Sequence, residues 1–549
     1  MTHLCVAIFV DDLATTQSQI ALAAAAGADM VELRVDRMGL ASARILADAA
    51  LPGIVTCRPT WEGGQSNLSD ADRMAVLDAA AEEAAYIDIE LKADRAGLRL
   101  FQFPRDSRPG IIFSSHDFTG RPDRLYNTVE ELEQSPCDVA KIVWTARTIR
   151  DNLEAFELLR NRSKPMIALC MGEAGLISRI LAKKFGAFLT FAALESGSGT
   201  APGQISIADM KKIYRWDKLG PDTRVYGVVG SPIMHSMSPA IHNAGFDTVG
   251  HDGIYLPLLV EPGYESFKAF METFLNFDGL HLSGLSVTIP HKENCLRYLQ
   301  EKGAEIEPLA QSIGTVNTVV IDRTTVGSAP RTVSPTADND TVGSAPRTVS
   351  PATEKGPQCG PYKLRGFNTD YAAILDAITI KLGIRREDLA GYRVAVIGAG
   401  GTGRTAVAAL AHYRATTVVY NRTLERAEEL AAEFTGRTGK VVAAPLAKLC
   451  DSCCQIYINT TSVGMHPNVN ESPVGDKLPK WSSDTLVFDT IYNPMRTRLL
   501  QQAEEAGART ISGVEMFVRQ AVGQFEAWTG KPAPADVFRQ VIESRLRGK

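Results

Sequence analysis

The sequence lacks the features that mark nucleic-acid-binding or membrane proteins. Its 58 Lys and Arg residues stand against 63 Asp and Glu residues, so the net charge is only -5 and no basic footprint is present. Its apolar stretches are strand-sized, well short of the roughly 20 residues that span a bilayer. The chain enters an apolar run at residue 4, which leaves no room for a targeting peptide. We therefore expect a cytoplasmic protein that binds small molecules, with no nucleic-acid or membrane partner.

Cysteine is also scarce, with 9 residues scattered through 549. An odd number in so long a chain predicts reduced thiols rather than a disulfide framework. Cys450, Cys453 and Cys454 include a C-x-x-C spacing, but a zinc site needs a second pair or nearby histidines. The nearest histidine, His466, falls in a predicted loop. We therefore interpret these cysteines as structural and predict no metal.

The first 220 residues alternate apolar, β-branched runs with Ala- and Leu-rich amphipathic stretches. This alternation predicts βα units around a parallel sheet. Eight such runs predict a closed (β/α)8 barrel at the small end of its size range, and an open doubly wound sheet is the alternative. The runs are residues 5–10, 30–36, 53–58, 86–91, 110–117, 139–145, 165–171 and 188–194.

Polar residues occur near the carboxyl ends of these strands, the end of a barrel that carries the active site. Lys141 lies within the sixth strand among apolar neighbours, where a buried ammonium must pair with a carboxylate or lose its proton. A neutral amine is a Schiff-base nucleophile, whereas the plainer alternative is an ion pair with Glu32 or Glu90. Arginines suit an anionic substrate. We predict an aldolase or dehydratase that acts on a small carboxylate, with these polar positions at its site: Glu32, Arg34, Arg58, Glu90, Ser114, His116 and Arg179.

Six short motifs of this segment resemble, in order, those of type I 3-dehydroquinate dehydratases. They are residues 31–34, 57–60, 115–118, 140–143, 178–179 and 201–204. The resemblance implies that Lys141 forms an imine with 3-dehydroquinate and that His116, oriented by Glu90, moves protons as water is lost to give 3-dehydroshikimate. Thr200 stands where that family commonly has serine. The residues implied to hold the substrate are Glu32, Arg34, Arg58, Arg179, Thr200 and Gln204.

The second half opens with a strand at 225–230 and a polar loop that carries Ser236 and Ser238 ahead of a helix. Hydroxyls at such a position usually cap the helix, although both also suit a ligand carboxylate. Lys292 follows a later strand, and Asp370 begins another helix. Considered alone, Lys292 is most simply interpreted as a solvated lysine and Asp370 as a helix N-cap.

A nucleotide site is indicated at residues 394–403, where a strand runs into glycines at G-x-G-x-x-G spacing and then an Ala-rich helix. This context is that of a dinucleotide phosphate turn at a helix N-terminus. The next strand ends in Asn421, Arg422 and Thr423, with no acidic residue to bind a ribose 2′-hydroxyl. An arginine there favours a 2′-phosphate, so the predicted cofactor is NADP rather than NAD.

These segments together resemble shikimate dehydrogenases, from residues 235–239 to residues 513–516 and Gln520. The resemblance implies that Lys292 and Asp370 form the catalytic pair. The residues implied to bind shikimate are Ser236, Ser238, Thr288, Asn317, Asp370 and Gln520. Those implied to line the cofactor site are Gly398, Ala399, Gly400, Gly401, Thr402, Gly403, Asn421, Arg422, Thr423, Met465 and Gly513.

The segment between 325 and 357 is unlike the rest, because residues 325–335 recur unchanged at 341–351. So polar a duplication predicts a disordered loop without function. Elsewhere we expect four units. They are a barrel at 1–220, a substrate-binding lobe at 224–388, a Rossmann NADP-binding lobe at 389–512, and C-terminal helices at 513–549 that return to the substrate lobe.

Taken together, the two resemblances predict a bifunctional enzyme like the fused dehydratase–dehydrogenase of plants, which makes 3-dehydroshikimate and then reduces it to shikimate with NADPH. One alternative is a catalytically weak sensor, because fungal quinate-pathway repressors resemble the same pair of domains. Another is a dehydrogenase that prefers quinate. Lys141, His116, Lys292 and Asp370 are all present, which favours catalysis.

Overall fold

The structure is a computed structural model that describes residues 1–37, 49–93, 95, 104–195, 197, 199–323, 362–434 and 439–547. The described residues form three sheets, each preceded or flanked by helices that cover its faces. The duplicated segment, predicted to be a disordered loop, lies outside the described residues. The strands on either side of it pair antiparallel, with Arg323 opposite Tyr362.

The first sheet is the predicted barrel. Its strands are β1 (His3–Phe9), β2 (Met30–Arg34), β3 (Gly53–Thr56), β4 (Tyr86–Glu90), β5 (Gly110–Asp117), β6 (Val139–Thr145), β7 (Met166–Met171) and β8 (Leu189–Ala192). Its helices are α1 (Leu13–Ala25), α2 (Asp70–Ala80), α3 (Leu125–Gln134), α4 (Asp151–Asn161), α5 (Leu176–Ile180) and α6 (Ile207–Lys212). The eight strands are parallel in the order β7-β6-β5-β4-β3-β2-β1-β8. The amide of Phe188 donates to the carbonyl of Met166, which links the two ends of the sheet. The predicted (β/α)8 fold is confirmed.

These strands are readable in the sequence because both of their faces are buried. A parallel barrel strand packs helices on one side and the barrel interior on the other, so it is apolar nearly throughout. In β6 six of the seven residues are buried, Lys141 among them. Its charge is the exception that marks the barrel interior as functional.

The second sheet has the strand order β10-β9-β11-β13-β14-β12, with β13 antiparallel to its neighbours. Its strands are β9 (Arg224–Gly230), β10 (Gly253–Leu259), β11 (Leu282–Val287), β12 (Glu305–Ile306), β13 (Thr318–Arg323) and β14 (Tyr362–Phe367). Its helices are α7 (Ser238–Thr248), α8 (Tyr264–Asn276), α9 (Lys292–Glu301), α10 (Pro308–Ile313) and α11 (Thr369–Leu382).

The third sheet is parallel throughout, in the order β17-β16-β15-β18-β19-β20 of a Rossmann-like fold. Its strands are β15 (Arg393–Ile397), β16 (Thr416–Asn421), β17 (Val441–Pro445), β18 (Ile456–Asn459), β19 (Leu486–Asp489) and β20 (Arg509–Ile511). The helices that follow β15 are α12 (Gly401–His412), α13 (Leu424–Phe434), α14 (Arg498–Glu505), α15 (Gly513–Thr529) and α16 (Ala535–Arg547). The last two pack on the second sheet, where Phe525, Trp528 and Phe538 share a core with Tyr226 and Phe246.

None of the helices in the described part of the chain is both long and apolar enough to cross a lipid bilayer. Eight cysteines of that part are free thiols, and most of them are buried. Across the same ranges, no group of three or more His, Cys, Asp or Glu side chains is placed to hold a metal ion.

Candidate functional sites

The carboxyl ends of the barrel strands enclose a cavity of about 50 Å³, here called the barrel cavity. It brings together residues that are far apart in the sequence, because parallel strands all end at the same face of the barrel. All of the barrel residues predicted as catalytic or substrate-binding line it except Glu90. They are Glu32, Arg34, Arg58, His116, Lys141, Arg179, Thr200 and Gln204.

Lys141 lies at the base of the barrel cavity with only 4% of its side chain exposed. Its Nζ donates to Asp88 Oδ2 at 2.7 Å and lies 3.4 Å from Glu32 Oε1. It also sits over the ring of Phe191, 4.6 Å from the centroid. Of the two possibilities for a buried lysine, pairing with a carboxylate is therefore the one the structure shows.

Asp88, which we did not predict, is the link between Lys141 and Arg58. Its Oδ1 accepts from Arg58 Nη2 at 2.7 Å and from the Ser114 hydroxyl at 2.6 Å. Burial acts to raise the pKa of this carboxyl, but the charges of Arg58 and Lys141 hold it well below its usual range. Asp88 is therefore a fixed negative charge beneath the amine. Its position two residues before Glu90 on β4 puts both on one face, a signal we did not use.

Glu90 does not contact His116, contrary to our expectation. It accepts from Arg58 Nη1 at 2.7 Å and also pairs with Arg73, both of them buried. Its carboxylate is therefore engaged by two guanidinium groups behind the cavity. The alternation of side chains along β4 correctly predicted that Glu90 points into the barrel. It does not predict which residue the Glu90 side chain contacts.

Glu62, which ends a short 3-10 helix after β3 (Thr60–Glu62), was also missed and is the carboxylate beside His116. Its Oε2 lies 3.3 Å from His116 Nδ1, and its Oε1 accepts the His116 backbone amide at 3.2 Å. Burial raises the pKa of Glu62 to about 7. Burial together with the nearby charges of Arg58 and Lys141 lowers the pKa of His116 well below its usual value. At neutral pH the imidazole is therefore uncharged and able to accept a proton.

Arg179 is the clearest anion-binding group of the barrel cavity. It is 2% exposed, and no carboxylate among the described residues pairs with it. Its Nη2 reaches only the Pro202 carbonyl, at 3.4 Å, and its Nε has no partner within the described ranges. Burial without a counter-ion lowers its pKa to about 10. Such a guanidinium fits a ligand carboxylate.

The other barrel residues predicted to bind substrate already have partners within the protein. Arg34 is paired with Asp36 at 2.6 Å, and Arg58 is held by three carboxylates. Thr200 and Gln204 hydrogen-bond to each other across the loop after β8, with the Thr200 amide donating to Gln204 Oε1 at 2.8 Å. The loop is thereby fixed beside Arg179.

The second sheet carries an open cleft of about 340 Å³, here called the lobe cleft. Tyr255, whose hydroxyl contacts that of Ser286, and the stacked rings of Tyr492 and Phe517 support its walls. The Ser236 hydroxyl accepts the Ser238 amide at 3.2 Å, but the N-cap position of α7 is Met237 and no side chain caps this helix. Ser236 and Ser238 are therefore not the caps that the sequence allowed. Six predicted residues line the cleft, namely Ser236, Ser238, Thr288, Lys292, Asn317 and Gln520.

Lys292 and Asp370 are 78 residues apart and form an ion pair, with Nζ 2.6 Å from Oδ2. Lys292 begins α9 and Asp370 lies in the first turn of α11, so two helix starts meet at the cleft. The cap of α11 is Asn368, whose side chain accepts the Asp370 amide at 3.1 Å. The Asp370 side chain is therefore not the cap and is free to hold the lysine.

The glycine turn between β15 and α12 has the form that a dinucleotide phosphate requires. Gly398 has φ +108°, and a side chain at Gly403 would meet the Gly398 carbonyl. A Cβ at Gly400 or Gly401 would meet nothing within 4 Å, and no side chain caps α12. No side chain therefore occupies the first-turn amides of α12, and there is space beside the two glycines for a phosphate at the helix N-terminus.

The other predicted cofactor residues lie around this turn. Asn421 ends β16, and its Oδ1 accepts the Ala399 amide at 3.3 Å. Arg422 and Thr423 are exposed, and no carboxylate of the described residues pairs with Arg422. Met465 is also exposed, whereas Gly513 starts α15 against the backbone of Ile491, where a Cβ has no room. These residues fit a dinucleotide with its 2′-phosphate at Arg422.

Family models match most of the chain, apart from residues 320–381, 497–512 and short segments elsewhere. They are the type I 3-dehydroquinase at residues 4–221, the shikimate dehydrogenase substrate binding domain at 228–319, the shikimate / quinate 5-dehydrogenase at 382–496 and the shikimate 5'-dehydrogenase C-terminal domain at 513–543. A shikimate dehydrogenase (NADP(+)) of Methanosarcina acetivorans is 34% identical. The match covers 59% of this chain and 99% of that protein. The solved dehydroquinate dehydratase and shikimate dehydrogenase from S. pombe AroM is 23% identical over 99% of this chain and 98% of its own, with a TM-score of 0.42.

A relative that covers both halves is the bifunctional 3-dehydroquinate dehydratase/shikimate dehydrogenase, chloroplastic, of Arabidopsis thaliana. It is 36% identical over an alignment 559 positions long, gaps included, which spans 98% of this chain and 84% of that protein. This similarity confirms the family predicted from the motifs. The chain belongs to the bifunctional 3-dehydroquinate dehydratase/shikimate dehydrogenase family.

Proposed function

We propose that the barrel cavity removes water from 3-dehydroquinate to give 3-dehydroshikimate, and that the lobe cleft reduces this product to shikimate with NADPH. The observation that carries the proposal is that each half holds a lysine in contact with a carboxylate at its own cavity. Lys141 contacts Asp88 at 2.7 Å, and Lys292 contacts Asp370 at 2.6 Å. The two lysines have different environments and therefore different tasks.

In the barrel, the Lys141 ammonium first releases one proton, and the neutral amine then attacks the substrate ketone. The carbonyl oxygen leaves as water with that proton and one from the amine, so a protonated imine remains. The imine draws electrons from the neighbouring carbon and so acidifies its C–H bond. Asp88 lies beneath the nitrogen and stabilises the positive charge of both the ammonium and the imine. Hydrolysis of the imine after the elimination restores Lys141.

His116 is the group proposed to move the protons. Because its lowered pKa leaves it neutral, it can remove the proton next to the imine and give an enamine. The resulting imidazolium then protonates the departing hydroxyl group, which leaves as water. Glu62, 3.3 Å from Nδ1, stabilises the imidazolium between the two transfers when it is ionised. We propose Glu62, rather than Glu90, as the residue that positions His116.

The substrate carboxylate is proposed to bind Arg179. A buried guanidinium without a carboxylate partner gains a bidentate, charge-assisted contact from such a ligand. Thr200, Gln204, Glu32 and Arg34 also line the cavity, and their polar groups suit the hydroxyl groups of the substrate. Arg58 is engaged by Asp88, Glu90 and Glu62, so its role is to organise these carboxylates.

In the lobe cleft, Lys292 is proposed to protonate the carbonyl oxygen as the ketone becomes an alcohol. Asp370 keeps its ammonium in place. Ser236 and Ser238 suit the substrate carboxylate, and Thr288, Asn317 and Gln520 suit its hydroxyl groups. NADPH, when bound at the glycine turn, supplies the hydride. Arg422 would hold its 2′-phosphate, as the NADP(+) in the name of the Methanosarcina relative also suggests.

The domain limits are part of this proposal: a barrel at 1–220, a substrate lobe at 224–388, a cofactor lobe at 389–512 and returning helices at 513–549. The packing of Phe525 and Phe538 against Tyr226 supports the return. A cytoplasmic location stays a prediction, since the name of the Arabidopsis relative says chloroplastic.

The test supplies 3-dehydroquinate and NADPH together and follows enone absorbance and NADPH oxidation. Lys141→Ala should stop NADPH oxidation, and added 3-dehydroshikimate should restore it. Lys292→Ala should instead accumulate the enone. A separate assay supplies NADP+ with either shikimate or quinate, and a clear preference for quinate would overturn the assignment of the second step. A wild-type protein that binds 3-dehydroquinate without turnover would favour the sensor alternative.

A further inference from the structure

The amino end of the barrel carries a cavity of its own, on the face opposite the one that holds Lys141. This cavity, here called the basal cavity, has a volume of about 700 Å³ and is open to solvent. It is lined by segments that lead into strands: His3 starts β1, Lys164 and Pro165 precede β7, and Phe188 precedes β8. None of the residues proposed for either reaction lines it. The two reactions therefore leave the basal cavity without a role.

The charges that line the basal cavity are of one sign. Arg160, Arg162 and Lys164 contribute three cations, and no aspartate or glutamate of the described residues is part of the lining. None of these three cations forms an ion pair with a carboxylate in the described part of the chain. Glu133 accepts the Ser163 amide at 2.8 Å but does not line the cavity. The lining therefore carries a net positive charge that suits an anion.

Two of the three cations are held in place by neutral groups. Basic residues at the end of a helix often complement its dipole, and Arg162 does so, because its Nη1 donates to the Leu159 carbonyl in the last turn of α4. Lys164 Nζ donates to the carbonyls of Ser135 and Cys137 at 2.8 and 3.3 Å. Carbonyl groups position these side chains but do not neutralise them. Both residues therefore present fixed positive charges to the cavity.

The third cation is free to bind a ligand. Arg160 is exposed and lies over the ring of Phe277, 5.7 Å from its centroid, and it forms no side-chain hydrogen bond within the described ranges. Its N–H donors are therefore available. The cavity also has an aromatic wall, where the rings of His3 and Phe188 meet edge to face with centroids 5.5 Å apart.

We propose that the basal cavity binds a small polyanion with a di- or triphosphate group, and that Arg160, Arg162 and Lys164 bind its phosphate oxygens. A terminal phosphate group carries about two negative charges and three acceptor oxygens. Guanidinium groups match such oxygens with paired N–H donors. A single carboxylate would leave most of the three cations unpaired, whereas a diphosphate pairs with all of them. The proposal does not depend on either reaction proposed above.

The same phosphate chemistry is found in inorganic pyrophosphate and in nucleotides, so the test uses both. Pyrophosphate and, separately, ATP are titrated into the full-length protein by calorimetry, with saturating NADP+ present to occupy the glycine turn. We expect the wild type to bind pyrophosphate and to bind it less tightly as the salt concentration rises. Equal affinity for ATP would show that the phosphates alone are recognised, and tighter binding of ATP would add a contact of the base with His3 and Phe188.

Two variants assign the binding to this cavity. Arg160→Gln and Arg162→Gln should each weaken pyrophosphate binding by about tenfold or more, because each removes a charge-assisted contact. Arg150→Gln is the matched control at the other end of α4 and should bind as the wild type does. The rates of both reactions should be unchanged in all three variants, since none of these residues lines the barrel cavity or the lobe cleft.

Hydrogen exchange of the wild type locates the ligand without any substitution. Pyrophosphate should slow exchange in the segment 160–165, and protection confined to other segments would overturn the proposal. Absence of binding by the wild type, or undiminished binding by both arginine variants, would overturn it as well. Citrate that binds as tightly as pyrophosphate would overturn the assignment to phosphate, because it would show that the cavity selects charge alone.

Discussion

The two sites use the same pair of residue types in opposite settings. In the barrel cavity Lys141 is 4% exposed and held among Asp88, Glu32 and the charges of Arg58. In the lobe cleft Lys292 is 30% exposed and has one carboxylate partner. The barrel cavity measures about 50 Å³ and the cleft about 340 Å³.

This difference follows from what each site has to admit. Covalent chemistry on one small molecule benefits from a preorganised, enclosed network of charges, because fixed dipoles and ions need no rearrangement during the reaction. A reduction needs substrate and cofactor to enter separately, so its site lies open between a substrate sheet and a nucleotide-binding sheet. The barrel site is therefore expected to be sensitive to any change of buried charge, and the cleft to changes at the reacting groups alone.

The largest expected effect is on the open site. Lys292→Ala removes the proposed proton donor and should lower the kcat of the dehydrogenase reaction by roughly 10²- to 10⁴-fold. The dehydratase rate of the same protein should be unchanged, since the barrel contributes none of its groups to Lys292. Lys302→Ala is the control, because Lys302 directly follows α9 and forms an ion pair near the surface. A loss of less than about threefold would remove Lys292 from the reaction.

The second change breaks the charge balance of the enclosed site. Asp88→Asn leaves Lys141 and Arg58 without the carboxylate between them, and breaking a buried pair in this way costs roughly 3–5 kcal/mol. Hydrogen exchange measures the opening free energy of the barrel peptides apart from the rest of the chain. Asp370→Asn, the matching change at the lobe cleft, should cost less than Asp88→Asn, because its partner Lys292 is 30% exposed and can be solvated. Equal costs at the two positions would contradict the contrast drawn here.

The eight barrel strands and the buried Lys141 were predictable from the sequence, whereas Lys292 was singled out only by the resemblance to shikimate dehydrogenases. Strands buried on two faces read as apolar runs, and a lysine inside such a run is conspicuous. The partner of His116 was not predictable by this means. The alternation of side chains along β4 correctly predicted that Glu90 points into the barrel, but Glu90 pairs with Arg58 and Arg73. Glu62 contacts His116 from the segment after β3, whose course depends on tertiary packing.

The second half shows the same division. The glycine turn was readable because G-x-G-x-x-G between a strand and a helix has one physical use. Asp370 looked like a helix cap until the structure gave that role to Asn368. Contacts between the barrel and the second sheet, such as that of Arg215 with Asp247, involve residues without a distinctive pattern.

The third prediction concerns cofactor choice. Arg422→Ala should raise the KM for NADPH by roughly 10- to 100-fold, because a hydrogen bond to a charged group is worth about 1.5–3 kcal/mol. The KM for NADH, which lacks the 2′-phosphate, should change little. Initial rates at a fixed concentration of 3-dehydroshikimate and varied concentrations of each cofactor measure both KM values. An equal rise for the two cofactors would remove the 2′-phosphate assignment.

The smallest expected effect concerns the pH dependence of the reaction in the barrel cavity. Glu62 has its pKa raised to about 7, and its ionised form stabilises the imidazolium of His116. The dehydratase kcat/KM should therefore fall as the pH drops below 7, by about tenfold per unit, as Glu62 becomes protonated. Glu62→Gln cannot titrate, so it should be slower at pH 8 and should lose this limb of the profile. The same limb in Glu62→Gln would assign the titration to another group.

The central claim is that the enclosed lysine acts as a nucleophile and the open lysine does not. Borohydride reduction of the protein in the presence of 3-dehydroquinate, followed by peptide mass spectrometry, tests it most directly. The account predicts a reduced adduct on the peptide that contains Lys141 and none on the peptide that contains Lys292. An adduct on Lys292, or an unmodified Lys141 in protein that still turns over 3-dehydroquinate, would contradict it.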